Sequence, residues 1–314
     1  SGYAPPSALP ATQGRGDERS RTGGSIRNVV AAMWQDLPAH YNTGLTDRTF
    51  IVAPKKGTSM LLTERRARYR QILQGSVCVH PASVFDAMSA RIAASLGFEV
   101  GMFAGSTASA TVLGAPDIIV LTLTEFADQI LRICRASPLP LMVDADHGYG
   151  NAINVMRTVE ELETAGVSGL TIEDTVLPTA FGAKGEQLIS IPEFVGKLKA
   201  AVAARQDPSL TVIGRTNGHK LADIPETVER VKAAQDTGVD AIFLVGGSKR
   251  AEIEAVHKVC RLPLILGGGS PELSDRQWLA EHGVRVALQG HQPLYASVKA
   301  VYDTLKHLRD GGST

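Results

Sequence analysis

Two aspartates, Asp144 and Asp146, flank a single alanine at the end of an apolar run, within Asp144-Ala145-Asp146-His147-Gly148-Tyr149-Gly150-Asn151. On an extended segment, residues two apart point the same way. Carboxylates held that close repel unless a cation or a proton lies between them. Oxygen donors without histidine or cysteine partners favour Mg²⁺, Mn²⁺ or Ca²⁺ over zinc. A solvated turn with a helix-capping aspartate explains an isolated pair better. Glu173, one strand away, and the Gly148/Gly150 turn move the balance towards a metal site. His147, following two acids, is expected to point away from the metal.

Other polar residues follow apolar runs in the same manner. Arg215 ends the run Leu210-Thr211-Val212-Ile213-Gly214. An arginine there needs an anion: either an internal carboxylate such as Glu173, or a substrate carboxylate held by both prongs of the guanidinium. Ser106 follows Gly105 and serves as a hydroxyl donor or as a helix N-cap. His291 follows Gly290; read alone it is a capping or core residue. Gly267-Gly268-Gly269-Ser270 reads as a tight turn, with a phosphate cradle as the weaker alternative.

The elements that must position these residues alternate regularly from about residue 59. Strands are expected at 76–80, 100–105, 140–145, 169–173, 210–215, 241–246, 263–267 and 284–289. Helices are expected near 86–96, 123–136, 152–166, 191–205, 224–238, 249–259, 272–282 and 293–309. Val155, Val159, Leu162 and Ala165 illustrate the helical spacing. Eight strands, each followed by a helix, predict an α/β fold: a closed parallel (β/α)₈ barrel of the TIM type over 59–314. An open doubly wound sheet is the rival, but no Gly-rich first turn supports it. In a barrel, chemistry sits past the C-terminal ends of the strands. Here five strand ends carry polar groups, so those groups are expected to converge on one rim.

The bulk composition agrees. The 314 residues have 44% apolar content, and Lys+Arg equals Asp+Glu at 32 each. The absence of a basic excess argues against nucleic acid, and no apolar run reaches membrane-span length. Cys78, Cys134 and Cys260 are far apart and read as reduced thiols. A cytoplasmic location follows, with organelle targeting by the N-terminal segment left open. Residues 1–58 are expected to be an extra N-terminal arm, partly disordered or packed on the barrel.

Four segments carry a family resemblance: Ser83-Val84-Phe85-Asp86-Ala87-Met88-Ser89-Ala90-Arg91, the stretch Asp144 to Asn151, Thr171-Ile172-Glu173-Asp174, and Gly214-Arg215-Thr216-Asn217. They resemble the isocitrate lyase/phosphoenolpyruvate mutase superfamily over about residues 60–309, and most of all its oxaloacetate decarboxylase branch. The resemblance implies that Ser106, Arg215 and His291 bind substrate, that Asp144 binds Mg²⁺, and that Asp117, Asp146 and Glu173 hold the metal's water shell. It implies Mg²⁺, with Mn²⁺ as the alternative ion, and a small 2-oxo acid substrate. It also implies a homo-oligomer, tetramer or dimer, with an exchanged C-terminal helix; the chain stops at Thr314, which leaves that exchange open.

The implied reaction is decarboxylation of oxaloacetate to pyruvate and CO₂ through a metal-stabilised enolate. Arg215 and Ser106 would hold the substrate, and His291 would donate to the C4 carboxylate or deliver the proton to C3. Two departures bear on the branch. The segment after the fourth strand, Thr175 to Lys184, lacks the Lys-Lys-Cys-Gly-His lid of the lyases. The Gly267–Gly269 run stands where the decarboxylase branch has a tyrosine. The alternatives are a C–C lyase or a C–P mutase or hydrolase acting on a related 2-oxo acid, or a non-catalytic barrel that keeps the metal site.

Overall fold

The structure is a computed structural model that describes residues 61–247 and 249–313. The N-terminal arm expected over 1–58 lies outside the described residues. Eight parallel strands form one sheet in chain order: β1 (Ala82–Ser83), β2 (Gly101–Phe103), β3 (Leu141–Asp144), β4 (Gly169–Glu173), β5 (Thr211–Thr216), β6 (Ala241–Val245), β7 (Leu264–Gly267) and β8 (Val284–Ala287). Val79, just before β1, makes a parallel bridge to Val286 of β8. Its N–H donates to the Arg285 carbonyl at 2.9 Å, and its carbonyl accepts from Ala287 N–H at 3.0 Å. The expected strand at 76–80 thus captures the closing bridge, while pairing with β2 begins two residues later at Ala82. Pro81 separates the two pieces, and it has no N–H to give a ladder.

The helices are α1 (Leu62–Gln74), α2 (Ala87–Ser95), α3 (Gly105–Ala108), α4 (Leu123–Ala136), α5 (Ala152–Ala165), α6 (Ile191–Ala204), α7 (Gly218–Leu221), α8 (Ile224–Gln235), α9 (Arg250–His257), α10 (Arg276–Glu281) and α11 (Gln292–Arg309). The helix expected over 272–282 is instead a 3₁₀ turn, Pro271–Leu273, followed by α10. Asp275 breaks it by capping α10: its carboxylate accepts from Gln277 and Trp278 N–H.

Helix α5 shows how local sequence serves the site. Asn151 caps its start by accepting from the Ile153 and Asn154 N–H groups, and Gly166 ends it in the left-handed region at φ 101°. Val155, Val159 and Leu162 are fully buried, each contributing about 1.5–3 kcal/mol. The Asp144–Asn151 turn is locked onto this helix. Gly148 has φ 77°, and a Cβ there would stand 2.4 Å from Val155 Cγ2. Gly148→Ala is therefore expected to destabilise the fold by about 2 kcal/mol or more, read as a lowered midpoint in thermal or urea denaturation.

Helix α1 was not anticipated. It carries four arginines, and its buried residues include Arg65 and Arg66 beside Tyr69 and Leu73, so no apolar stripe marks it. Two of the arginines, Arg66 and Arg70, serve as clamps at the N-terminal ends of the strands. Arg66 donates to the Val167 and Glu163 carbonyls and pairs with Asp207 at 2.6 Å. Arg70 donates to the Ser209 and Leu210 carbonyls and pairs with Asp240 at 2.8 Å. Tyr69, fully buried, packs with Met142, Ile213 and Ala241 in the inner core cluster. Gly169 leaves it room: a Cβ there would meet the ring at 2.5 Å. Helix α1 therefore plugs the end of the barrel away from the site.

Side-chain alternation divides the core in two. Met142, Ile213, Phe243, Ile265 and Val286 face the barrel interior, while Leu141, Val143, Leu170, Ile172, Val212 and Leu244 pack outward under the helices. The same parity sends Asp144, Glu173 and Arg215 inward.

Candidate active site

Strand register brings the inward residues together. Asp144 of β3 lies beside Thr171 of β4, Glu173 beside Arg215 of β5, and Arg215 beside Phe243 of β6. Arg215 is the hub. Its Nη1 donates to Asp144 Oδ2, and its Nη2 pairs with Glu173 Oε2 at 2.8 Å. Its guanidinium carbon lies 5.6 Å from the centre of the Phe243 ring, within cation–π range. Of the two partners left open for Arg215, the internal carboxylates are realised. Among the described residues its buried Nε has no partner, an orphan donor of the kind that a ligand oxygen satisfies.

The carboxylates are held by their own partners. Thr171 Oγ1 donates to Asp144 Oδ1 at 3.2 Å, and Asp146 N–H donates to the same oxygen at 3.1 Å. Asn217 Nδ2 donates to Glu173 Oε2 at 3.0 Å and to Thr175 Oγ1 at 2.7 Å. Beneath them Asp174, fully buried, accepts from Thr216 Oγ1 at 2.6 Å and Asn217 N–H at 3.0 Å, and faces Arg230 at 3.3 Å.

The expected orientation of the aspartate pair needs correction. The strand ends at Asp144, and Asp146 has φ 48°, so the segment is not extended there. Aspartate tolerates this left-handed region better than most residues. The turn, not strand alternation, carries Asp146 back beneath α3: a Cβ at Gly105 would stand 3.0 Å from both Asp146 carboxylate oxygens. Ser106 follows in the first turn of α3. The N-cap of that helix is Ala104, so Ser106 is not its cap.

The electrostatics show one crowded field. Burial pushes the Asp146 carboxyl well above the usual range, and Asp144, Glu173 and Asp117 push the same way against Arg215. Glu173 is raised by burial, opposed by Arg215 and reinforced by Asp144. Asp117, in the loop before α4, is raised by burial and by Asp144 and lowered by Arg215. Burial works against the charge on Arg215, but Asp144, Glu173 and Asp146 outweigh it and raise its pKa. Four acids thus share one arginine, an arrangement short of positive charge.

His291 stands at the N-cap position of α11, yet its side chain makes no capping bond. Instead its Nδ1 lies 2.8 Å from Ser83 Oγ. Burial lowers its pKa, with Asp144 opposing, so the same carboxylate that touches Arg215 is also felt by His291. His147 lies apart from this set. Burial and then Lys197 lower it to about 4, and Lys197 Nζ donates to its carbonyl at 3.0 Å.

Asp144, Asp146, Glu173 and Arg215 are therefore brought together. Asp117, Ser106 and His291 stand around them. Sequence reasoning gave no role to Thr171, Asn217, Phe243 or Ser83. Thr171 and Phe243 share the inward parity of the residues beside them, which is a signal the sequence does contain. The Gly267 turn also has a packing reason: a Cβ on Gly267 would stand 2.6 Å from the Phe243 ring.

The family model for phosphoenolpyruvate phosphomutase matches residues 70–309. The chain belongs to this family. An oxaloacetate decarboxylase of Bradyrhizobium diazoefficiens is 56% identical over 252 residues, covering 80% of this chain and 88% of that protein. A solved oxaloacetate acetylhydrolase in complex with the inhibitor 3,3-difluorooxalacetate has a TM-score of 0.71 at 30% identity, covering 79% of this chain and 87% of that one. A phosphonopyruvate hydrolase in complex with oxalate and Mg²⁺ has a TM-score of 0.69 at 28% identity, covering 79% and 88%. The chain is thus a (β/α)₈ barrel of an enzyme family.

Proposed function

We propose that the protein is a Mg²⁺-dependent oxaloacetate decarboxylase. The observation that carries this reading is the rim around Arg215, found in a chain 56% identical to a protein of that name. The donor set fits a hydrated divalent cation. Its oxygens come from carboxylates, and the acids outnumber the positive charge among them. Among the described residues no three of His, Cys, Asp or Glu stand close enough to form a direct shell. Mg²⁺ keeps several of its waters and takes one or two carboxylates. Asp144 would hold it directly, and Asp117, Asp146 and Glu173 would act through water. Mn²⁺ has similar ligand preferences and is the alternative ion.

When bound, the metal supplies a Lewis acid that accepts charge from the 2-oxo end as the C3–C4 bond breaks. The chain's own residues do the rest. Arg215, with its orphan Nε–H, and Ser106 hold the substrate's oxygens. His291 donates to the C4 carboxylate before cleavage or returns a proton to C3 afterwards. No covalent nucleophile is needed: Cys78 and Cys134 are buried away in the outer core.

His291→Ala is expected to lower kcat on the order of 10²-fold; an effect on KM alone would assign His291 to binding. A substrate panel of oxaloacetate, methylated malates and phosphonopyruvate tests the reading itself. Oxaloacetate should be turned over fastest, and preferential turnover of phosphonopyruvate would replace this reaction with C–P chemistry.

A homo-oligomer fits the surface of α11. Leu294 is its one buried residue, while Tyr295, Val298, Val301, Tyr302 and Leu305 are exposed along one side. An apolar stripe of that length suits contact with another copy. Among the described residues no helix is long and apolar enough to cross a membrane. The unpaired thiols suit a reducing cytoplasm.

A further inference from the structure

We propose that Ser83 is a positioning residue for His291, fixing the imidazole as the tautomer that presents Nε2–H to the substrate. The inference rests on the reading of His291 as the group that faces substrate. Ser83 is the last residue of β1 and is buried. Its Oγ lies 2.8 Å from His291 Nδ1. The neighbouring wall supplies the geometry: the Val79–Val286 bridge sets β8 beside the start of β1, and Gly290, at φ 84°, turns the chain so that His291 comes back towards β1.

The direction of this hydrogen bond follows from counting donors. A serine hydroxyl carries one proton. Among the described residues the Ser83 hydroxyl has one partner, Nδ1 of His291. If Nδ1–H donated to Oγ, the serine proton would need a second acceptor, and no protein atom among the described residues supplies one. The bond that satisfies both groups runs from Ser83 O–H to Nδ1. Nδ1 is then unprotonated, and in the neutral ring the proton must sit on Nε2. Nε2 has no partner among the described residues, so it is available for a ligand. The burial that lowers the His291 pKa favours this neutral ring. The α11 N-cap position gives the backbone anchor, and Ser83 gives the ring anchor. Together they fix the ring and leave Nε2 to carry its N–H.

The test is nitrogen NMR on histidine-labelled protein, alone and without metal or substrate, alongside steady-state kinetics. In the wild type the His291 Nδ1 shift should fall in the unprotonated range and Nε2 in the protonated range. Ser83→Ala should move the ring to a mixture of tautomers and lower kcat/KM by on the order of tenfold. Ser83→Thr, which keeps the hydroxyl, should restore both. A wild-type Nδ1 that is protonated, or an alanine variant with unchanged tautomer and unchanged kcat/KM, would overturn the proposal. Loss of the catalytic role of His291 would show separately, as His291→Ala with undiminished turnover, and would leave the NMR result standing.

Discussion

Asp144→Ala is expected to reduce metal-dependent turnover of oxaloacetate by at least about 10⁴-fold, a barrier increase of about 5.5 kcal/mol. The size follows from two losses at one atom group. The carboxylate proposed to hold the metal disappears, and with it the Lewis acid, which is worth several kcal/mol. The same carboxylate also accepts from Arg215, Thr171 and the Asp146 N–H, so the rim loses its organising acceptor. The fold should survive, because removing one of four crowded acids relieves repulsion among the others. A second readout separates metal binding from chemistry. At a hundredfold excess over its Kd a ligand stabilises by about 2.7 kcal/mol, which is several degrees for a barrel of this size. Mg²⁺ should raise the melting temperature of the wild type and leave that of Asp144→Ala unmoved. An equal rise in both would place the metal elsewhere.

Arg215→Met is expected to fail in two ways at once. Asp144 and Glu173 both use this guanidinium as their countercharge, and the Glu173 side chain is only 4% exposed. Leaving them unpaired should destabilise the metal-free protein by about 3–5 kcal/mol. Catalysis should also fall by about 10³-fold or more, because the donor assigned to the substrate is gone. Arg215→Lys separates the two effects. It keeps a positive charge between the acids, so most of the stability should return. It lacks the planar fork that reaches both carboxylates and still leaves Nε–H for a ligand, so activity should stay low. Urea denaturation and steady-state kinetics on the two variants read the two effects independently. A lysine variant with wild-type activity would show that the fork has no part in the reaction.

Much of this site was legible because a barrel strand places chemistry at a known position. Asp144, Glu173 and Arg215 each follow or end an apolar run buried on both faces, and the structure puts all three inward on adjacent strands. The period named Asp146 but not the route by which it arrives. Its approach depends on left-handed backbone at Asp146, Gly148 and Tyr149, and a turn of that kind leaves no alternation to read. Helix α1 escaped for another reason: its buried face is made partly of arginines that satisfy backbone carbonyls, so polarity marked a buried surface. The Ser83–His291 bond joins residues 208 positions apart. Only the closure of the barrel brings them together, and neither local spacing nor composition encodes it.

The most direct test of the central claim is pyruvate formation from oxaloacetate with Mg²⁺ titrated into metal-free enzyme, corrected for the spontaneous metal-catalysed background, with Asp144→Ala run in parallel. The account requires wild-type turnover that rises with Mg²⁺ to saturation, vanishes with chelator, and is absent from the variant. Turnover by the wild type that is indifferent to Mg²⁺, or equal turnover by Asp144→Ala, would contradict it.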